Sequence, residues 1–122
     1  MSLKSTSAVL FIAHGSPRKE ANDFIIELCK QIEPLAATRV QPAFLNDKVI
    51  SIHDGCNLLL NEGFKFIEIF PFFLAPGEHI QTDIPRLIES LRTNHPEVVF
   101  TQLNTFGLWP ELPAMIASYF KK

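Results

Sequence analysis

Four times along this chain a short apolar run is followed by a segment whose apolar residues recur at every third and fourth position. The first run, AVLFIA at 8–13, is too short for a free-standing helix and β-branched enough for a strand buried on both faces. Residues 39–45, 64–74 (FKFIEIFPFFL) and 98–103 predict three more strands. Helical faces are predicted from Ala21, Phe24, Ile25, Leu28 and Ile32, then from Val49, Ile52, Cys56, Leu59 and Leu60. Ile84, Leu87, Ile88 and Leu91 mark a third helix, and Leu112, Met115, Ile116, Tyr119 and Phe120 a fourth. Pro34, Gly63 and His95-Pro96 are expected to stop the first three. Such alternation predicts an α/β fold, a three-layer open parallel sheet of about four strands with helices on both faces, because right-handed crossovers return each helix to a face of the sheet. Pro42 places the second strand at the sheet edge, since proline donates nothing to a ladder.

With 122 residues the expected organisation is a single domain over 1–122. A hydrophobic content of 47% against 20% charged residues exceeds what a free surface needs, so a homodimer that covers part of that surface is expected. A formal net charge of −2 provides no basic field, which argues against nucleic acid as a partner. No run approaches the ~20 apolar residues of a membrane span, and the first seven residues lack a secretory core, so no membrane association and a cytoplasmic location are expected. Cys29 and Cys56 form no CxxC pair and read as buried structural thiols.

In open parallel sheets, ligands sit outside the carboxyl ends of the strands. The loops there carry His14, Asn46 with Asp47, Glu78 with His79, and residues 104–109. His14 ends the first strand where Gly15-Ser16 lets the chain turn, which projects the imidazole into the crevice. His79 follows the small-residue loop Ala75-Pro76-Gly77, and if a helix begins near Ile80, Asp83 stands four residues on, able to accept from the His79 ring. Thr82 or Asp83 also reads as a cap of that helix, with Pro85 in its first turn. Two imidazoles do not close a structural zinc site, which wants about four protein ligands; an open site for an exchanging divalent ion fits better. His53 lies within a helical pattern and His95 at a helix end, both away from that crevice. There is no GxxxxGK[ST], GxGxxG or GxSxG segment. The loop before the first helix, with Arg18 and Lys19, suits an anion.

The segments AVLFIAHGSPRKEAN, FLNDKVISIHDGCNLLLNEG, IEIFPFFLAPGEHIQTDIP and GLWPEL resemble the small, single-domain sirohydrochlorin chelatases, class II chelatases of the CbiX type. The resemblance implies a chelatase-like fold, a homodimer of half-length chains, and insertion of a divalent metal, Co(II) favoured over Fe(II) or Ni(II), into the tetrapyrrole sirohydrochlorin without an organic cofactor. It assigns His14 and His79 to binding the metal and accepting the pyrrole protons, and surrounds them with Arg18, Asn46, Glu78 and Asp83. Arg18, Lys19 and Arg86 would meet the substrate's carboxylates, and Phe72, Phe73, Leu108 and Trp109 would wall its flat face. Where family members commonly carry a carboxylate in a Phe-Leu-Glu segment, this chain reads Phe44-Leu45-Asn46, and Asp47 or Glu78 would have to replace it. An alternative is therefore a non-catalytic relative that binds metal or tetrapyrrole, and a third reading is an anion-binding regulatory domain using residues 15–19.

Overall fold

The apolar run at the start forms β1 (Ser7–Ala13), and its alternation divides the core in two: Ala8, Leu10 and Ile12 face one way, Val9 and Phe11 the other. The computed structural model describes residues 7–46, 50–77 and 79–120, with the backbone alone at His79 and Ile80. The chain continues through α1 (Lys19–Ala36), β2 (Arg39–Phe44), α2 (Ile52–Asn61), β3 (Phe66–Pro71), a π-helical turn (His79–Asp83), α3 (Ile84–Asn94), β4 (Val99–Gln102), a 3-10 turn (Phe106–Leu108) and α4 (Leu112–Ser118). The four strands are all parallel in the order β2-β1-β3-β4. β1 therefore lies between β2, with Ala13 opposite Phe44, and β3, with Ile12 opposite Pro71.

β2 is the edge strand that Pro42 predicts, and the Pro42 carbonyl accepts from the Gln41 side-chain amide at 2.9 Å. On one face, Ile52, Cys56 and Leu59 of α2 and Ile84, Ile88 and Leu91 of α3 pack on Leu10, Ile12, Ile67 and Ile69. α2 comes close because Gly55 has no side chain: a Cβ there would lie 3.0 Å from that of Ala43. On the other face, Ile25, Leu28, Cys29 and Ile32 of α1 meet Phe11, Val40 and Phe70.

Three expectations need correction. Pro34 does not stop α1, which runs two residues further. Pro34 and Lys30 are both exposed, so the one carbonyl that the missing N–H leaves unbonded can be hydrated. The helix ends instead at Ala37, which takes the left-handed conformation at φ 53° and donates to the Glu33 carbonyl. The third helix begins with a π-helical turn, and α3 proper starts at Ile84 rather than near Ile80. Finally, α4 does not lie on the sheet: Met115, Ile116, Tyr119 and Phe120 are all exposed.

Candidate metal and macrocycle site

Parallel strands point all their carboxyl ends the same way, so the segments after β1, β2 and β3 emerge side by side. The Leu45 N–H donates to the Ala13 carbonyl at 3.0 Å and the Asn46 N–H to the His14 carbonyl at 3.0 Å, which carries the β1–β2 pairing past both strand ends. On the other side the Phe72 N–H donates to Ile12 at 2.8 Å, and the Phe73 ring stands edge-on to the His14 imidazole at 6.4 Å. His14 is exposed at this junction.

The turn that presents His14 is tightly held. Gly15 adopts φ +88°, and a Cβ there would lie 2.9 Å from that of Asn46 and 3.2 Å from that of Phe44. The His14 Nδ1 lies 3.2 Å from the Gly15 carbonyl, and the Asn46 side-chain amide donates to the same oxygen at 3.5 Å. Ser16 is gripped by the buried Asn22, whose Oδ1 accepts from the Ser16 N–H at 2.9 Å and whose Nδ2 donates to the Ser16 carbonyl at 2.8 Å. The Ser16 hydroxyl in turn accepts from the Arg18 N–H at 3.1 Å.

His14 and Asn46 are thus brought together. Arg18 and Lys19 stand exposed on the next segment, where each faces a carboxylate, Glu20 at 3.8 Å and Asp23 at 2.6 Å. The backbone of His79 opens the π-helical turn after β3, beside the strand that carries His14, and Asp83 closes that turn, exposed. Asp83 occupies the N-cap position of α3 in helical conformation and makes no side-chain cap there, which corrects its reading as a cap; Arg86 is exposed on the same helix. Asp47 and Glu78 lie outside the described residues, as does the His79 side chain and with it the expected contact to Asp83. Among the described residues no three His, Cys, Asp or Glu side chains converge as a ready-made metal cluster.

The expected apolar wall is only partly correct. Trp109 belongs to the core, its ring 5.1 Å from Phe70 and 5.3 Å from Phe106, with its indole N–H on the Asn104 carbonyl. Beside His14 lies instead an open cleft of about 390 Å³ walled by Ser16, Asn22, Phe24, Phe44 and Phe72. Phe24, expected in the buried stripe of α1, is 65% exposed and faces this cleft. It stands one residue before the Ile25, Leu28, Ile32 series, and that offset was the available signal. Asn22 offered none, since a polar residue in a first helical turn reads as surface.

The chain matches the family model described as CbiX over residues 8–122. It is 38% identical over 80 residues to the chloroplastic sirohydrochlorin ferrochelatase of Arabidopsis thaliana, covering 65% of this chain and 36% of that one. To the sirohydrochlorin cobaltochelatase of Priestia megaterium it is 26% identical over 104 residues, covering 85% and 34%. The chain thus spans about a third of the length of these two relatives. A crystal structure of a putative cobalamin biosynthesis CbiX protein from Marinobacter aquaeolei superposes with a TM-score of 0.80 at 23% identity over 93% of both chains. The sirohydrochlorin chelatase SirB of Bacillus subtilis in complex with cobalt superposes at 0.81 and 20% identity, covering 93% of this chain and 49% of that one. These two likenesses establish a shared chelatase fold.

Proposed function

The chain belongs to the CbiX family, and on that premise we propose that it is a metallochelatase which inserts Co(II) or Fe(II) into sirohydrochlorin, with His14 and His79 handling metal and protons. The observation that carries this reading is the adjacency of β1 and β3, which sets the His14 turn beside the segment that leads to His79. Relatives named as sirohydrochlorin cobaltochelatases and ferrochelatases support the substrate pair.

Insertion replaces two pyrrole N–H protons with one divalent ion, so two protons must leave as the metal arrives. A neutral imidazole, with an ordinary pKa of ~6.5, can both ligate a borderline ion and accept a proton near neutrality. Few fixed protein ligands suit the task, because the ion must depart for the macrocycle. The cleft beside His14, apolar at Phe24, Phe44 and Phe72, suits the flat face of a conjugated ring. Arg18, Lys19 and Arg86 are exposed cations on the segments that follow β1 and β3, available for its carboxylates.

The test is spectrophotometric. Protein with Co(II) is expected to shift the sirohydrochlorin absorption faster than Co(II) alone, and His14→Ala is expected to lose 10²-fold or more of that rate, on the order of a removed acid-base group. Equal rates with and without protein would sink the reading.

A second reading, a metal or tetrapyrrole carrier without turnover, is favoured by one observation: Asn46 cannot accept a proton, and its amide is directed at the Gly15 carbonyl. Activity that appears only in Asn46→Glu would select it, and an active wild type would exclude it. The same overall proposal takes the protein as a cytoplasmic homodimer. The uncharged, exposed α4 supports the dimer, and two free, buried thiols fit a reducing compartment.

A further inference from the structure

Asn22 is one of three buried polar side chains among the described residues, with Gln41 and Thr105. Both ends of its amide, Oδ1 and Nδ2, are spent on a single backbone residue, Ser16. The Ser16 N–H and the Gly15 carbonyl belong to one planar trans peptide unit and point in opposite directions, so holding one aims the other. The Asn22 Oδ1 holds the N–H at 2.9 Å, and across the plane the Gly15 oxygen lies 3.2 Å from His14 Nδ1. A carbonyl only accepts, so the imidazole nitrogen that faces it carries the hydrogen.

We propose that Asn22 is a positioning residue for His14. It clamps the Gly15–Ser16 peptide plane so that the Gly15 carbonyl selects the Nδ1–H tautomer and leaves the imidazole lone pair on Nε2, the nitrogen that meets the metal. Outer hydrogen bonds to the second ring nitrogen are the general means by which proteins fix a ligating imidazole. Here the outer acceptor is a backbone carbonyl on a glycine at φ +88°, a mobile residue type that would not hold its own orientation. Asn46 assists from the β2 side with a longer contact of 3.5 Å to the same oxygen, whereas Asn22 grips both faces of Ser16 from a buried position. The metal half of the proposal rests on His14 being a metal-handling residue; the tautomer half does not.

The experiment uses the full chain with ring-15N-labelled histidine, in alkaline buffer where imidazoles are neutral, the His14 signals being assigned by their loss in His14→Gln. The wild type is expected to show a protonated Nδ1 and a pyridine-like Nε2. Asn22→Ala, folded by circular dichroism, is expected to move His14 towards the Nε2–H form that free histidine prefers, and to weaken Co(II) binding by calorimetry by ~10–100-fold. Asn22→Ser, whose shorter hydroxyl cannot span both the Ser16 N–H and the Ser16 carbonyl, is expected to move the tautomer in the same direction and provides the test if Asn22→Ala does not fold. An unchanged tautomer in either folded variant, or Nε2–H in the wild type, overturns the proposal. If the tautomer moves as expected while the wild type binds no Co(II), the metal reading of His14 falls and the clamp stands.

Discussion

Gly15 shows how narrowly the candidate site is built at the scale of single residues. Its φ of +88° is a conformation that side chains rarely adopt, and the space beside it is already filled by Asn46 and Phe44. Gly15→Ala would strain the backbone and push Asn46 away at once, a combination that costs ~1–3 kcal/mol. The expected outcome is a lower urea midpoint together with weaker metal handling, measured by denaturation and by Co(II) titration; a variant with wild-type stability would show that the turn relaxes freely. Legibility also divides at this scale. His14 could be read from its strand-end position before Gly-Ser, because a buried strand has no packing use for an imidazole there. Phe24 left only its offset from the Ile25, Leu28, Ile32 series as a signal, and Asn22 left none, because helical spacing marks the stripe to be buried without saying which flanking residue the next loop will lean on.

At the scale of elements, the strands and the face-forming residues of α1, α2 and α3 were legible, since period two and period 3.6 report burial directly. Helix ends were less so. α1 passes through Pro34 because the far end of the helix is tied by its neighbours: the Glu33 carboxylate accepts from the Val40 N–H at 2.7 Å and from Arg39 at 3.1 Å. Arg39 continues the pair to Glu62 beyond α2, and although burial alone would lower its pKa, these two carboxylates raise it. The segment after β4 is pinned in the same way, as the buried Thr105 hydroxyl lies 2.9 Å from the Pro71 carbonyl and 2.7 Å from that of Phe73. The Arg39–Glu62 and Thr105 contacts join residues 23 to 34 positions apart, and the Glu33 contacts reach from a helix into the next strand, so none of them is visible to the periodicity of one element. The two helix thiols are a testable case of correct local reading. Burial pushes the Cys29 thiol up from 9.0 to about 12 and Cys56 to about 11. The unfolded chain then releases these protons at lower pH than the folded one, so both thiols leave stability unaffected below pH 9.0 and reduce it as pH rises from there towards about 12. Urea midpoints on either side of pH 9.0 are expected to fall more steeply for the wild type than for Cys29→Ala. Parallel slopes would show that the Cys29 thiol ionises alike in both states.

At the scale of the whole molecule, the strand order places one helix, α1, on one side of the sheet and two on the other, and the uncovered part shows on the surface. Phe66 and Val99, at 46% and 52% exposure, lie on β3 and β4 where the α1 side runs out of cover. The chain's own α4 does not fill that place; residues 112–120 (LPAMIASYF) contain no charge, yet Tyr119 is 89% and Phe120 71% exposed. A helix that is apolar all round is ordinarily buried, so this one lacks a partner within the described residues of a single copy. In the proposed homodimer a second copy would supply both missing halves, because each chain offers the same open face and the same spare helix, the self-complementarity a two-fold dimer requires. With ~150–250 Å² per large aromatic side chain, the exposed apolar groups of the two elements amount to on the order of 600 Å² per chain. Two copies together then approach the ~1,200 Å² at which specific interfaces begin. The wild type is accordingly expected to sediment as a dimer, and Tyr119→Asp with Phe120→Asp to sediment as a monomer that keeps its helical signal. Since Tyr119 and Phe120 line neither the His14 turn nor the cleft beside it, the monomeric variant is expected to retain Co(II) affinity at His14. A wild type that sediments as a monomer, or a double variant that remains dimeric, would remove α4 from the interface.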